Sequence, residues 1–238
     1  MTRTPTKTLD GPQIRDIFSA GAGWLEQNKE AVDKVNVFPV PDGDTGKNMS
    51  ATMAAVIKAA QNCRESGAGP MLAAMQRAAL MESCGNSGAL LWRIISGIAA
   101  AAEGRDELAA EILVAGLEEG AARAYRAVQT PAEGTILTVA RDVAEVVRRH
   151  VDAGEKDIVE LLRVAVQESK ESVERTTDIH PELRAAGVVD AGGLGFSIIL
   201  EGMLAHLTGE RPEPVAVQAA ATVGQGWLAE TAERHQAG

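Results

Sequence analysis

Most of the sequence consists of segments whose apolar residues recur at helical spacing, separated by turns that contain Gly or Pro. In residues 157–175, for example, Ile158, Leu161 and Leu162 fall on one face, and Glu and Lys residues fall on the opposite face. No segment alternates apolar and polar residues for long enough to predict a strand. The pattern therefore predicts an all-α protein with about eight helices.

Caps, turns and prolines mark where the predicted helices begin and end. Gly11-Pro12 opens the first helix, and Asp106 is the expected N-cap of a helix that continues to Val128. Residues 176–187 are expected to form a loop with at most one helical turn. The predicted helical segments are 11–28, a short segment 29–35, then 47–62, 70–82, 89–103, 107–128, 136–151, 157–175 and 192–207.

The same caps, turns and prolines predict the domain organisation. Residues 11–209 are expected to form one domain, preceded by a disordered lead at residues 1–10. Residues 210–238, which include Pro212 and Pro214, are expected to form a linker and a C-terminal tail. Because no core-forming element closes this tail, we also expect the natural polypeptide to continue beyond it.

The composition restricts which residues can form the core and which classes of function are possible. Hydrophobic residues make up 45% of the chain but aromatic residues only 3%, so the core must be built from Ala, Leu, Val, Ile and Met in closely packed helices. The net charge of −10, without a basic stripe, argues against nucleic-acid binding. Cys63 and Cys84 form no CxxC motif, and no signal peptide or membrane span is predicted. A cytoplasmic protein is therefore expected.

One acidic stretch, residues 36–49, is the first candidate for chemistry. Two prolines stiffen the approach to Asp42, and Asp42 and Asp44 can point to the same side of an extended backbone just before a helix. Carboxylates at a helix N-terminus, where a phosphate would also bind, make sense when a hard cation lies between them. Mg²⁺ is the expected cation, because it prefers oxygen ligands and is commonly shared with substrate phosphates.

Other interpretations of this stretch differ in how well the spacing supports them. An EF-hand would need Gly and Glu where the sequence has Lys47 and Met53, and a P-loop would need Gly where it has Pro41. A surface Asx turn is the structural alternative, since Pro-Asp-Gly is ordinary turn chemistry. The stiff apolar approach to Asp42 favours a loop that is held against the core.

Three further helices are expected to open from Gly-rich polar turns. These turns contain Gly85-Asn86-Ser87-Gly88, Glu133-Gly134-Thr135 and Asp190-Ala191-Gly192. One such turn would be an ordinary cap, but several beside an acidic loop suit a nucleotide di- or triphosphate. For Asp190 an N-cap role is an equal alternative. The four histidines share no motif spacing and are expected at the surface or at caps.

Together, these four motifs resemble the N-terminal nucleotide-binding domain of bacterial fatty acid kinases, which is itself similar to the L subunit of dihydroxyacetone kinases. The resemblance covers about residues 11–209 and keeps the order of the motifs. It implies an antiparallel eight-helix barrel that binds ATP at one end through two Mg²⁺ ions. It also implies transfer of phosphate to a fatty acid presented by a separate carrier protein, and a homodimer is one expected assembly.

The resemblance assigns roles to individual positions. Asp42 and Asp44 match the catalytic, metal-binding carboxylates, and Asn36 is the expected further metal ligand. The expected nucleotide-contacting residues are Thr45, Gly46, Asn48, Met49, Gly85, Asn86, Ser87, Gly88, Gly134, Thr135, Asp190, Ala191 and Gly192.

Two departures leave alternatives open. Cys84 stands where the fatty acid kinase pattern usually has Arg, and the remaining domains of that family are absent from this chain. A kinase that needs further domains or a partner is therefore expected. A dihydroxyacetone kinase L-type subunit and a nucleotide-binding regulatory module that has lost catalysis are the alternatives.

Overall fold

The computed structural model describes residues 4–213 and residue 215. Within these residues the chain forms nine helices and two very short strands. In chain order they are β1 (Thr8–Leu9), α1 (Gly11–Lys34), α2 (Thr45–Asn62), α3 (Ala68–Glu82), α4 (Gly85–Ala101), β2 (Leu108–Ala109), α5 (Ala110–Ala127), α6 (Ile136–Asp152), α7 (Ile158–Ile179), α8 (Pro181–Ala186) and α9 (Ala191–Thr208).

The eight long helices close into an antiparallel ring. From α1 to α7 each helix packs against the next, α7 packs against α9, and α9 returns to pack along α1. The six-residue α8 lies outside this sequence as a short connection between α7 and α9. The predicted fold class, an all-α antiparallel eight-helix barrel in a single domain, is confirmed.

The interior of the barrel is aliphatic and rich in methionine, as the shortage of aromatic residues predicts. Leu25, Met49 and Leu161 are among the side chains that are completely buried. Each such side chain stabilises the fold by about 1.5–3 kcal/mol relative to exposure. The helices also approach closely: a Cβ atom on Gly97 of α4 would lie 2.1 Å from the backbone nitrogen of Gly120 in α5.

One end of the barrel is closed by β1 and β2, and we call it the strand end. The two strands pair antiparallel, with Leu9 opposite Leu108. The backbone N–H of Ile158 donates to Thr6 O at 2.7 Å, which ties the start of α7 to the same segment. Residues 4–10 therefore pack against the barrel, in contrast to the expected disordered lead. Both strands are too short for period two to reveal them.

Several predicted helix boundaries are wrong. Helix α1 continues to Lys34 without a break near Asn28, whose side chain donates back to Trp24 O within the helix instead of ending it. Asp106 does not cap α5, because the helix begins only after β2. Residues 176–187 are mostly helical, since α7 extends to Ile179 and α8 follows.

Two further expectations concern the C-terminal part of the chain. Helix α9 is long and apolar enough to cross a membrane, but 61% of it is buried inside the barrel, as is usual for the core helix of a globular domain. The predicted linker and tail fall almost entirely outside the described residues. Only 210–213 and Val215 can be placed.

Candidate functional site

Four of the long helices begin at the same end of the barrel. Because successive helices run in opposite directions, α2, α4, α6 and α9 all start opposite the strand end. We call this the site end. Its four helix starts are the four Gly-rich or acidic turns that the sequence singles out. Helix N-termini carry unpaired N–H groups and partial positive charge, so this arrangement is suited to an anion with several phosphates.

Asn36 organises the acidic loop. Its Oδ1 accepts hydrogen bonds from the backbone N–H groups of Asp44 and Thr45, each at 3.1 Å, and from Thr45 Oγ1 at 2.9 Å. Its Nδ2 donates to Val40 O at 3.1 Å, so one buried side chain joins both ends of the loop. Since three donors already occupy Oδ1, Asn36 acts here as a brace for the loop. Its predicted role as a metal ligand would require those bonds to be exchanged.

Asp33, which the sequence analysis does not identify, caps helix α2 from the end of α1. Its Oδ1 accepts from the backbone N–H groups of Gly46 at 2.7 Å and Lys47 at 3.3 Å. Asp44 occupies the N-cap position of α2 but makes no side-chain cap bond, so its carboxylate is not used for capping. An acidic residue in the last turn of a helix, where the dipole disfavours it, is the signal that could have identified Asp33.

Asp42 and Asp44 form a close pair of like charges. Partial burial of the Asp42 carboxyl group raises its pKa above the usual range, and the neighbouring Asp44 carboxylate raises it further. A divalent cation would relieve this repulsion, so the donor set fits Mg²⁺. Among the residues that the structure describes, no group of three or more His, Cys, Asp or Glu could hold a metal. Further ligands would therefore have to be water or phosphate oxygens.

Helix α2 connects the acidic loop to the Gly85–Gly88 segment. Thr52 Oγ1 accepts from the backbone N–H of Cys84 at 3.2 Å and donates to Asn48 O at 2.8 Å. A Cβ atom on Gly88 would lie 2.4 Å from this hydroxyl. Gly85 has a φ of +61°, and a Cβ there would meet the Asn48 amide at 2.5 Å. Glycine is therefore required at both positions.

Some of the residues that are predicted to contact the nucleotide do not lie on the surface of a turn. Met49 is completely buried and packs against Gly195 of α9, so in this structure it belongs to the core. Gly85 to Gly88 form the first turn of α4 instead of preceding the helix, and Gly85 and Asn86 are exposed. Thr45 is buried with its hydroxyl bonded to Asn36. Gly46 is also buried, and its N–H is bonded to Asp33.

Asp190 joins the starts of α6 and α9. Its Oδ2 accepts from Gly193 N at 2.6 Å, and its carboxylate also accepts from the backbone N–H of Ile136 at the start of α6. Its own N–H donates to Thr176 Oγ1 at 3.0 Å. Burial raises the pKa of this carboxyl to about 6, although both backbone hydrogen bonds lower it. The N-cap alternative is therefore the role that the structure shows for Asp190.

The Gly134-Thr135 turn is held by its own network. Thr135 Oγ1 accepts from Leu137 N as the N-cap of α6, and Gly134 N donates to Thr138 Oγ1 at 2.8 Å. The Glu133 carboxylate accepts from the Thr138 and Tyr125 hydroxyls and from Arg141. These contacts hold the pKa of Glu133 below its usual range although burial acts in the opposite direction. The turn is thereby fixed at the site end.

His180 connects this turn to the acidic loop. Its ring centroid lies 4.2 Å from that of Phe38, and a Cβ on Gly134 would lie 3.0 Å from the His180 backbone nitrogen. His180 occupies the N-cap position of α8, which agrees with the expectation that the histidines lie at caps. It is only 6% exposed, so it does not lie at the surface. Burial lowers its pKa. His180 thereby links the acidic loop and the Gly85–Gly88 turn to the Gly134-Thr135 turn and the Asp190 turn.

Comparison with known proteins identifies the family. The model of the DAK2 domain matches residues 39–205. Protein YloV of Bacillus subtilis is 40% identical over 211 residues, covering 89% of this chain and 38% of that protein. A protein of Staphylococcus epidermidis is 36% identical over 208 residues, covering 87% of this chain and 38% of that protein. The chain thus spans about two fifths of the length of these relatives.

A solved structure shares the fold. The native form of the dihydroxyacetone kinase of C. freundii superposes with a TM-score of 0.57 at 13% identity, over 86% of this chain and 36% of that one. The likeness supports the barrel, and the family model assigns most of the chain directly. On this evidence, the chain belongs to the DAK2 domain family.

Proposed function

We propose that this chain is the ATP- and Mg²⁺-binding phosphotransferase domain of a fatty acid kinase. The observation that carries the proposal is the gathering of four helix N-termini and the Asp42–Asp44 pair at one end of the barrel. Phosphate groups need donors and positive potential, and a metal bridging them needs anionic oxygen ligands. The site end combines both requirements, and family membership supports a kinase-related role.

The residues divide into ligands and supports. Asp42 and Asp44 would hold Mg²⁺, with two ions proposed, and bound Mg²⁺ would neutralise charge on the phosphate oxygens. The helix starts at Gly85–Gly88, Gly134–Thr135 and Ala191–Gly192 would face the nucleotide. Asn48, which contacts Gly85, is placed between the acidic loop and the second turn. Asn36, Asp33 and Asp190 would keep these groups in position without contacting ATP.

The proposed acceptor is the carboxylate of a fatty acid presented by a separate carrier protein, and the product is an acyl phosphate. This carboxylate is ionised at neutral pH, so it attacks the γ-phosphorus without a general base, and ADP leaves. Positioning and electrostatics then supply most of the rate. Because the matched relatives are more than twice as long as this chain, we propose that full activity needs further domains or a partner. A cytoplasmic location and a homodimer also belong to this proposal.

Calorimetry with the full chain tests the nucleotide site. ADP should bind with Mg²⁺ present and bind at least tenfold more weakly when the metal is chelated. Equal affinity with and without chelator would contradict the metal loop. An acyl-phosphate assay with ATP, Mg²⁺ and a lipid-loaded carrier protein then tests the reaction. Product from chain and carrier alone would show a complete kinase, and product only after a longer relative's remaining domains are added would support a split enzyme.

A second candidate is a nucleotide-binding regulatory module without catalysis. Cys84 favours it, because this residue occupies the N-cap of α4 at the site end, where the family pattern carries a cation. Loss of a positive charge beside the phosphate groups would weaken the electrostatic stabilisation of the transition state for phosphoryl transfer. Cys84→Arg should raise product formation if the domain is a weakened kinase, whereas intact binding with no product in any mixture would favour the regulatory module. A dihydroxyacetone-type subunit would instead take phosphate from a protein donor.

A further inference from the structure

Lys47 lies in the first turn of α2, shortly after Asp44. Its Nζ atom donates to Gly43 O at 3.5 Å and lies 3.5 Å from Asp33 Oδ2. Long side chains in a helix point back towards its N-terminus, so Lys47 reaches the residue that separates Asp42 from Asp44. The positive charge of Lys47 is therefore located at the site end, within the acidic loop.

The first backbone N–H groups of α2 are already occupied by side chains of the fold. Those of residues 44–45 donate to Asn36, and those of residues 46–47 donate to Asp33. A helix start usually binds an anion through these N–H groups. A phosphate group at the start of α2 would therefore have to be bound by a side chain, and Lys47 carries the positive charge in this turn.

A lysine is locally unfavourable at this position. A helix N-terminus carries partial positive charge, so acidic residues are preferred in the first turn and Lys is disfavoured. The first turns of the other three helices that start at the site end, residues 85–88, 136–139 and 191–194, contain no Lys or Arg. Residues that violate such a local rule are expected at functional positions. The charge of Lys47 therefore needs a reason beyond helix formation.

Pairing with Asp33 accounts for only part of this charge. The distance of 3.5 Å between Lys47 Nζ and Asp33 Oδ2 is long, since charge-assisted hydrogen bonds usually measure about 2.7–2.9 Å. Within the described residues, the buried Asp33 Oδ2 accepts no hydrogen bond. The Lys47 side chain is 64% exposed, and its contact with Gly43 O is equally long. The ammonium group thus keeps hydrogen-bonding capacity for a ligand.

We propose that the Lys47 ammonium group binds the γ-phosphate of ATP and makes the site prefer ATP over ADP. This inference rests on the proposed function and adds a specificity-determining residue to it. Asp42 and Asp44 lie in the same loop, and in phosphotransferases the metal that such carboxylates hold lies against the β- and γ-phosphates. An ammonium group acts on phosphate as a point charge, so it stabilises the more negative triphosphate more strongly.

Calorimetry with the full chain and Mg²⁺ tests the proposal, using ADP and AMP-PNP, the β,γ-imido analogue of ATP. The original chain should bind AMP-PNP more tightly than ADP. Lys47→Met, which removes the charge from an exposed side chain, should weaken AMP-PNP binding about tenfold or more and ADP binding about twofold or less. Lys47→Arg, which keeps the charge, should retain most of the affinity for AMP-PNP. Thermal unfolding of each variant reports whether the barrel is folded.

Lys34→Met is the matched control. Lys34 is an exposed lysine in the last turn of α1, at the same end of the barrel, so this variant changes the net charge equally. It should leave both affinities within about twofold, because a surface charge without direct contact acts only through a screened potential. An equal loss of AMP-PNP affinity in Lys34→Met and Lys47→Met would show a general effect of charge and overturn the proposal.

The same measurements separate this inference from the proposed function. If the original chain binds both nucleotides and Lys47→Met binds them equally well, only the role of Lys47 is wrong. Equal weakening of ADP and AMP-PNP in Lys47→Met would show that the lysine holds the acidic loop through Asp33, which also overturns the proposal. If the original chain binds neither nucleotide, the proposed function itself is wrong, and the role of Lys47 is rejected with it.

Discussion

At the scale of single residues, the two carboxylates of the acidic loop and the buried carboxylate of Asp190 have opposite roles. Asp44 caps no helix, and partial desolvation raises the pKa of the Asp42 carboxyl group, which stays accessible to solvent. Asp190 is buried and bonded to two helix starts. Asp42 and Asp44 are therefore available to a ligand, whereas Asp190 serves the fold. Substitutions at these positions should separate binding from stability.

Asp42→Asn and Asp44→Asn should each weaken binding of Mg²⁺–ADP by about 100-fold or more and leave the fold intact. The loss follows because an amide is a weaker metal ligand than a carboxylate, and the fold is spared because removing one of two repelling charges is not destabilising. Calorimetry measures the affinity and thermal unfolding without metal measures the stability. Asp106→Asn at the strand end is the control, with both expected unchanged. Unfolding of either loop variant would show a structural role instead.

Asp190 should make stability depend on pH. Its folded pKa of about 6 lies above the unfolded value of 3.8, so between these values the unfolded chain binds fewer protons, and stability falls as pH rises from about 4 to 6. A shift of about two units corresponds to about 3 kcal/mol. Asp190→Asn, which cannot ionise, should lose this component. Urea unfolding at several pH values measures it, and identical pH profiles for both proteins would contradict the raised pKa.

At the scale of elements, α2 supports both neighbouring turns. Asp33 of α1 caps it, and its Thr52 hydroxyl receives the N–H of Cys84 ahead of α4. The relation between the first two turns of the site therefore depends in part on the Thr52 side chain of α2. Loss of this hydroxyl would free the α4 start even though Thr52 lies outside the acidic loop.

Thr52→Val should reduce the free energy of unfolding by about 0.5–1.5 kcal/mol, because it removes the hydrogen bond to the partly buried N–H of Cys84 while keeping the shape of the side chain. It should also weaken Mg²⁺–ADP binding, since the first turn of α4 is no longer fixed to α2. Thr52→Ser keeps the hydroxyl and is the matched variant, so its affinity should stay close to that of the original chain. A loss in Thr52→Ser without a loss in Thr52→Val would mean that packing by the methyl group, and not the hydrogen bond, is responsible.

The elements also show what the sequence could and could not predict. Gly and Pro punctuation with helical periodicity predicts the long helices, because those signals are local. Strands β1 and β2 contain two residues each, so no periodicity exists for them. The brace by Asn36 and the cap by Asp33 depend on contacts across 8 to 14 positions that only the folded loop creates. The family resemblance places Met49 at the nucleotide, but helical geometry directs its side chain into the core.

At the scale of the whole molecule, the order of the helices brings the site together. In a ring of antiparallel neighbours, every second helix starts at the same end, so the turns before α2, α4, α6 and α9 meet although they are far apart in sequence. The four motifs can be recognised from residue types alone. Their meeting at one end was implied by the family resemblance and follows from the directions of the helices.

An amide-resolved NMR titration of the full chain with ADP and Mg²⁺ tests this account most directly. We expect the largest shifts at the four helix starts of the site end, including Thr45, Asn86, Thr135 and Gly192, and no shifts at Leu9, Leu108 or Gly154 near the strand end. Chelating the metal should remove most of these shifts. Shifts concentrated at the strand end, or shifts that are the same with and without Mg²⁺, would contradict a metal-dependent nucleotide site at the site end.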